Sequence, residues 1–302
     1  MASVHYKLSI IKRSAGRSSV AAAAYRAAEK IIDRRTGLEH DFTRKNGVVH
    51  TEILLPVHAP QNFMQREVLW NAVEQVERQK NAQLARHLEV GLPIELDRAA
   101  QITLIREHVQ QHYVDHGMCA DICVHDKGDG NPHAHVMFTM RPLEPDGSWG
   151  AKSKKEYMLD RSGQRILLDS GEWKSKKVSA TGWDEQSNAE LWRDNWGREV
   201  NRAYERHGIE QAIDMRSYQR QGVILEPTQH MGPELTNLER KGVVSGRGTA
   251  NREKLERNRA IRAYDQERSN QEHVPEHTPT FDEWRRSKAP QKEQSLELER
   301  GR

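Results

Sequence analysis

Apolar and polar positions alternate along VHYKLSII near the start of the chain, the period of a half-buried strand. The same signature returns in VVHTEILLP, ended by Pro56, and in ARHLEVGLP, CADICVHD and AHVMFTM. Between these runs the period lengthens. SSVAAAAYRAAEKII reads as an Ala-rich helix introduced by Gly16 and the cap candidates Ser18 and Ser19. Residues 61–84 repeat at helical spacing through Phe63, Val68, Leu69, Val73 and Val76, and residues 97–116 through Ile102, Ile105, Val109 and Tyr113. The order β-α-β-α-β-α-β-β predicts an α+β domain, a sheet with helices packed against one face. Its last two strands, joined by the turn-forming DKGDGNP, must be antiparallel, so a purely parallel doubly wound sheet is disfavoured.

Past residue 141 the pattern loosens. Residues 142–180 form a charged, Gly- and Ser-containing insertion that predicts a hairpin or a flap. WDEQSNAELWRDNWGREVNRAYERHG predicts a strong amphipathic helix. Trp192, Trp196, Val200 and Tyr204 recur every four residues, the mark of a core-facing stripe, and Gly208 sits where a helix ends. From about residue 235 Glu, Arg, Asn and Gln dominate; residues 249–270 predict a charged helix, and the rest reads as disordered or ordered by a partner. The division that follows is a first domain over 1–240 and a charged tail over 241–302.

Composition adds limits. At 302 residues the chain can bury a full core. No apolar run approaches the length of a membrane span, and the N-terminus lacks the apolar centre of a secretory signal. The two cysteines, Cys119 and Cys123, fall on one strand, where a bridge between them is geometrically implausible; reduced thiols and a cytoplasmic setting fit. GxxxxGK[ST] is missing from the sequence, which argues against an NTP-driven motor. Net charge is only +3, but residues 1–50 hold ten Lys or Arg against four acids. Lys12, Arg13, Arg17, Arg26, Arg44 and Lys45 are therefore candidates to meet a polyanion.

The densest chemistry lies in HDKGDGNPHAH. Side chains at i and i+2 of a strand share a face, so His133 and His135 point together, and the turn folds His125 back beside them. Three imidazoles from two paired strands make an open, facial metal site. A nucleophile beside it could come from Tyr25, preceded by four alanines and followed by Arg26, with Tyr6 as the second candidate on a strand whose face alternation leaves undecided. Glu89 could accept the remaining N–H of a ligating imidazole. His87 shares the face of Glu89 and reads as a plain surface histidine; Asp126 reads as a turn residue.

These segments together resemble one family. SIIKRSAGRSSVAAAAYRAAEKIIDRRTGLEHDFTRKNGVVHTEILLP, HLEVGLPIEL, HDKGDGNPHAHVMFTMRPL, DMRSYQRQG and EPTQHMG are similar to the MobA/MobL mobilisation relaxases of the HUH endonuclease superfamily, from about residue 3 to 242. The resemblance implies a palm-like antiparallel sheet with the metal site at its centre. It maps the metal ligands onto His125, His133 and His135, the nucleophile onto Tyr25 and the accompanying acid onto Glu89. It implies a divalent ion, Mg²⁺ or Mn²⁺ first and Zn²⁺ next, and single-stranded DNA at a plasmid origin of transfer as substrate. Accessory mobilisation proteins and a type IV coupling protein are the implied partners, in a bacterial cytoplasm. Met215 stands where the family more often has His. A rolling-circle replication initiator with the same chemistry, or a non-catalytic DNA-binding protein with a structural metal, are the alternative readings.

Overall fold

In the computed structural model, which describes residues 5–229, 231–269 and 280–288, the N-terminal alternation becomes strand β1, Tyr6–Lys12. Ser18 caps the next helix, its Oγ accepting from the backbone N–H groups of Val20 and Ala21, and α1 runs over Ser19–Ala27. Ala28 takes a left-handed conformation, φ 57°, and ends α1 earlier than the helical spacing predicts. The residues expected to prolong it form a hairpin instead: β2 (Lys30–Asp33) and β3 (Leu38–Asp41), turning at Gly37. Strand β4 (Val48–Leu54), helix α2 (Arg66–Val76) and strand β5 (Gln83–Gly91) follow. The helix expected over 61–84 is thus a 3₁₀ turn and eleven residues of α-helix, and the rest of that span belongs to a loop and β5. Helix α3 (Arg98–Val109) passes into a π turn at Gln110–Val114, and β6 (Ala120–His125) and β7 (His133–Thr139) form the hairpin read from the sequence. The insertion holds a second hairpin, β8 (Ser153–Tyr157) with β9 (Ser175–Ser179), and α4 spans Gln186–Arg206 with Gly208 left-handed beyond it.

The central sheet has five strands in the order β1-β5-β7-β6-β4, every neighbouring pair antiparallel. The α+β class and the antiparallel sheet stand, but helices cover both faces rather than one. The reason lies in the inner strands, where burial runs almost without a break along β5, β6 and β7. Leu88, Val90, Ile122, Val124, Ala134, Val136 and Phe138 pack with α3 and α4, and Trp192, Trp196, Val200 and Tyr204 fill that core as their spacing predicts. The opposite face buries Ile53, Ala85 and Met137 against Val20, Ala23 and Ala24 of α1 and Leu69, Trp70 and Val73 of α2. Met215 packs in the α3–α4 core. A Cβ on Gly197 of α4 would meet its Cγ at 2.7 Å, so only glycine lets this sulfur-bearing side chain so close.

The chain divides into two compact units, Met1–Met215 and Arg216–Arg302. In the second, α5 (Tyr218–Gln221), α6 (Gly232–Arg240), α7 (Gly246–Ser269) and α8 (Phe281–Lys288) are helical, so the charged helix expected over 249–270 is present as α7. Asn258 of α7 holds the backbone of Glu226 through two hydrogen bonds of 2.8 and 2.9 Å. The disorder expected elsewhere in the tail falls largely on 270–279 and 289–302, outside the described residues.

Candidate active site

Strand alternation sets the floor of the site. Ser9 on β1, His87 and Glu89 on β5, His133 and His135 on β7, and Asp121, Cys123 and His125 on β6 all face the α1–α2 side. His125 pairs directly with His133, and Cys123 with His135. The three imidazoles lie together, with ring centroids 5.4 Å (His125–His133), 4.8 Å (His125–His135) and 5.1 Å (His133–His135) apart. Their candidate ligand atoms fall within 4.8 Å of one another. The β6–β7 turn that joins them follows its composition. Asp126 accepts from the N–H of Gly128 at 2.8 Å, pairs with Arg98, and donates its own N–H to the carbonyl of Gly47, as a turn residue should.

Each ring has one nitrogen already committed. His125 Nε2 lies 2.6 Å from the carbonyl oxygen of Arg26, and His133 Nδ1 lies 2.8 Å from that of Asn131. A carbonyl only accepts, so both nitrogens carry the proton and the opposite nitrogen of each ring keeps its lone pair. His135 Nδ1 is 3.0 Å from His87 Nε2, and His87 Nδ1 is 3.3 Å from Ser9 Oγ. With His135 Nε2 turned to a cation, the chain runs from His135 N–H to His87 and from His87 N–H to Ser9. Burial depresses His125, His87 and His135, helped by the nearby Arg26 charge; His125 falls to about 4 and His87 to about 3, and His135 is lowered as well. Three imidazoles, two of them held at one nitrogen by a backbone carbonyl, suit a divalent transition ion.

Two expectations are corrected here. His87 is buried rather than a surface residue, and it makes the hydrogen bond to a histidine of the candidate triad that was expected of Glu89. Glu89 stands directly opposite His135 in the register but points its carboxylate to His5, 3.3 Å away, and that bond first of all lowers its pKa. His87 is the diagonal neighbour, close enough to stack its ring on His135 at 5.2 Å. The i−2 position to Glu89 was the available signal.

Tyr25 lies in the last turns of α1, 51 % exposed, its ring edge-on to Phe42 at 5.2 Å. Lys45 spans it, with Nζ 4.2 Å from the ring centroid and 2.9 Å from the Tyr25 carbonyl. The next carbonyl, of Arg26, is the one that His125 holds, so the tyrosine's own helix end is fastened to the histidine cluster. Tyr6 is excluded as a partner of the triad. Its side chain lies on the opposite face, Oη 2.7 Å from that of Tyr113, and burial raises its pKa well above the usual phenol value. The anchoring of α1 comes from α2: Glu74, with its side chain fully buried, accepts from the N–H and Oγ of Ser19 at 2.8 and 2.9 Å and pairs with Arg13 and Arg35. Arg66 clasps Asp121 from the same helix, and Trp70 Nε1 donates to that carboxylate at 2.8 Å.

The basic candidates divide accordingly. Lys12, Arg17 and Arg44 are exposed, and Arg26 and Lys45 are partly buried near the histidines. Arg13 is 13 % exposed and spent on Glu74 and on the carbonyls of Glu77 and Gln79, an anchor for α1 rather than a free cation. Cys119 and Cys123 are free and buried, and burial pushes the Cys119 thiol up to about 12.

With this geometry in place, the comparisons with known proteins converge. Residues 17–241 match the model of the MobA/MobL family. The chain belongs to that family. Conjugal transfer protein TraA of Rhizobium radiobacter is 38 % identical over 257 residues, covering 82 % of this chain and 22 % of TraA. Mobilization protein MobL of Acidithiobacillus ferridurans is 32 % identical over 266 residues, covering 80 % of this chain and 65 % of that protein. The chain therefore spans only about a fifth of the TraA relatives it matches. Among solved structures, a chain described under "Molecular Basis of Vancomycin Resistance Transfer in Staphylococcus aureus" matches with a TM-score of 0.61 and 29 % identity, over 71 % of this chain and 98 % of that one. Among the described residues of the MobA/MobL chain, no helix is long and apolar enough to cross a membrane.

Proposed function

We propose that this protein is a relaxase that nicks one strand of DNA at a plasmid origin of transfer and later rejoins it. The observation that carries the reading is the junction of His125 with the Arg26 carbonyl, which binds the tyrosine-bearing end of α1 to a trio of imidazoles. His125, His133 and His135 would hold a divalent cation, which supplies charge stabilisation at the phosphoryl oxygens when bound. Tyr25 Oη attacks the scissile phosphorus as its proton passes to solvent; the phosphorus–oxygen bond to the 3′ side breaks, and the departing 3′ oxygen takes a proton from solvent to leave as a free 3′ hydroxyl. The product is a 5′-phosphotyrosine ester that conserves the broken bond, so the 3′ hydroxyl of a suitable strand can attack it and restore the DNA. Lys45, over the Tyr25 ring, favours the electron-rich phenol oxygen in attack, and Arg26 adds positive charge where the phosphate would lie.

Lys12, Arg17, Arg26, Arg44 and Lys45 would contact phosphates of the single strand, and accessory mobilisation proteins and a type IV coupling protein would be the partners, a reading that membership of the family supports. The testing experiment uses an origin oligonucleotide labelled at each end in turn. Cleavage should need a divalent ion, release a fragment with an extendable 3′ hydroxyl, and leave the other fragment's 5′ end attached to protein. A free 5′ phosphate on that fragment would mean hydrolysis by water and would remove the tyrosine from the reaction.

A further inference from the structure

The α3–α4 face of the sheet carries a second histidine cluster that DNA cleavage does not use. His108, in the last turn of α3, is fully buried. His112 follows in the π turn, and their ring centroids are 5.0 Å apart. Glu199 of α4 reaches both: Oε2 lies 2.7 Å from His108 Nδ1 and Oε1 lies 2.5 Å from His112 Nε2. The candidate ligand atoms of these three residues all fall within 4.8 Å of one another.

We propose that His108, His112 and Glu199 form a second metal site, for Zn²⁺ or a similar transition ion, that clamps α3 to α4. Four observations support it. Two imidazoles and a carboxylate are the donor set of zinc rather than of Mg²⁺, which prefers oxygen alone. Histidines four apart on helical backbone face one way, and here a π turn, a rare form concentrated at functional sites, carries the second of them. The outer nitrogens have partners of their own: Tyr6 Oη lies 3.4 Å from His108 Nε2, and the Asn195 amide lies 3.1 Å from His112 Nδ1. Those partners can take either tautomer, because a hydroxyl donates or accepts and an amide can present its oxygen. Each ring can thus move its proton outward and free the inner nitrogen for a cation. Finally, a cavity of about 380 Å³ opens beside the carboxylate, lined by Glu199, Glu107, Gln111, Arg202, Glu205 and Arg206, which gives an ion a way in to Glu199.

The test uses the full chain with His125, His133 and His135 all changed to alanine, so that the DNA-side cluster is removed. Titrated with Zn²⁺, this variant should still bind one ion and melt at a higher temperature with it. Adding His112→Gln, or separately Glu199→Gln, should weaken that binding at least about tenfold and abolish the thermal shift, with unchanged circular dichroism. His112 is partly exposed, so its variant keeps the fold testable if loss of Glu199 does not. The proposal is overturned if the triple variant holds no Zn²⁺, or if the ion it holds is indifferent to both added changes.

Discussion

The two faces of the sheet each carry a histidine cluster and a tyrosine, and they are assembled in opposite ways. On the α3–α4 face the packing is aromatic: Tyr113 stacks on Phe138 at 4.1 Å and tilts against Trp192 at 4.8 Å, and Tyr6 is partly buried with its hydroxyl on that of Tyr113. On the α1–α2 face the helices are held by buried charge, Glu74 with Ser19 and Arg13, and Asp121 with Arg66 and Trp70. The first arrangement raises phenol pKa values and hides the hydroxyls; the second leaves Tyr25 half exposed on a helix whose end His125 holds. A buried ion network costs desolvation, but it sets the position of a helix more narrowly than apolar contact does. Here what it positions is α1, and with it the tyrosine.

The comparison breaks most visibly at the tyrosines. Tyr25→Phe should lower covalent adduct formation by on the order of 10³-fold or more, while Tyr6→Phe should change it only a few-fold. Equal losses in the two variants, measured on denaturing gels, would erase the distinction between faces. Next comes the ion network. Glu74→Gln should destabilise the fold by about 3–5 kcal/mol in denaturant titrations, because Arg13 and Arg35 lose their buried partner. Burial alone would raise the Glu74 carboxyl, but the bonds from Arg13 and Ser19 outweigh it and the net shift is downward. A carboxyl depressed in the folded state contributes stability above its unfolded value, about pH 4, and loses that contribution as pH falls through the folded value. The wild-type protein should therefore destabilise steeply below about pH 4, and Glu74→Gln should flatten that limb.

A smaller effect separates the histidines proposed to hold the cation from the one behind them. His87→Ala should weaken divalent-ion affinity by about 10–100-fold while still allowing cleavage at high metal concentration. His133→Ala should not be rescued in that way. The smallest effect concerns the DNA path: Arg44→Ala should reduce the slope of log affinity against log salt by about one, whereas Arg13→Ala should leave it unchanged and lower stability instead.

Much of this was legible beforehand where the signal was local. The i, i+2 rule placed His133 and His135 on one face, DKGDGNP specified the turn that returns His125, and the Trp192–Tyr204 spacing marked a core helix. What was hidden depended on partners distant in sequence. The i−2 position to Glu89 puts His87 on the site's face but does not say that it is buried, since its partners are His135 and Ser9 on two other strands. Arg13 reads as one more basic residue until Glu74, sixty-one positions away, is seen beneath it. The β2–β3 hairpin was concealed because AAEKII continues the helical period past Ala28, and only the left-handed backbone there shows the stop. Helices on both faces follow from burial on both sides of β5–β7, which apolar content alone does not distinguish from a one-sided sheet.

The most direct measurement is to digest the covalent protein–oligonucleotide complex and locate the phosphotyrosine by mass spectrometry. The modified peptide should contain Tyr25, and no such peptide should form in EDTA or when His133 and His135 are both alanine. Modification of any other tyrosine, or a Tyr25 adduct that forms without the cation or its histidines, would contradict the joining of phenol and imidazole trio at one phosphate.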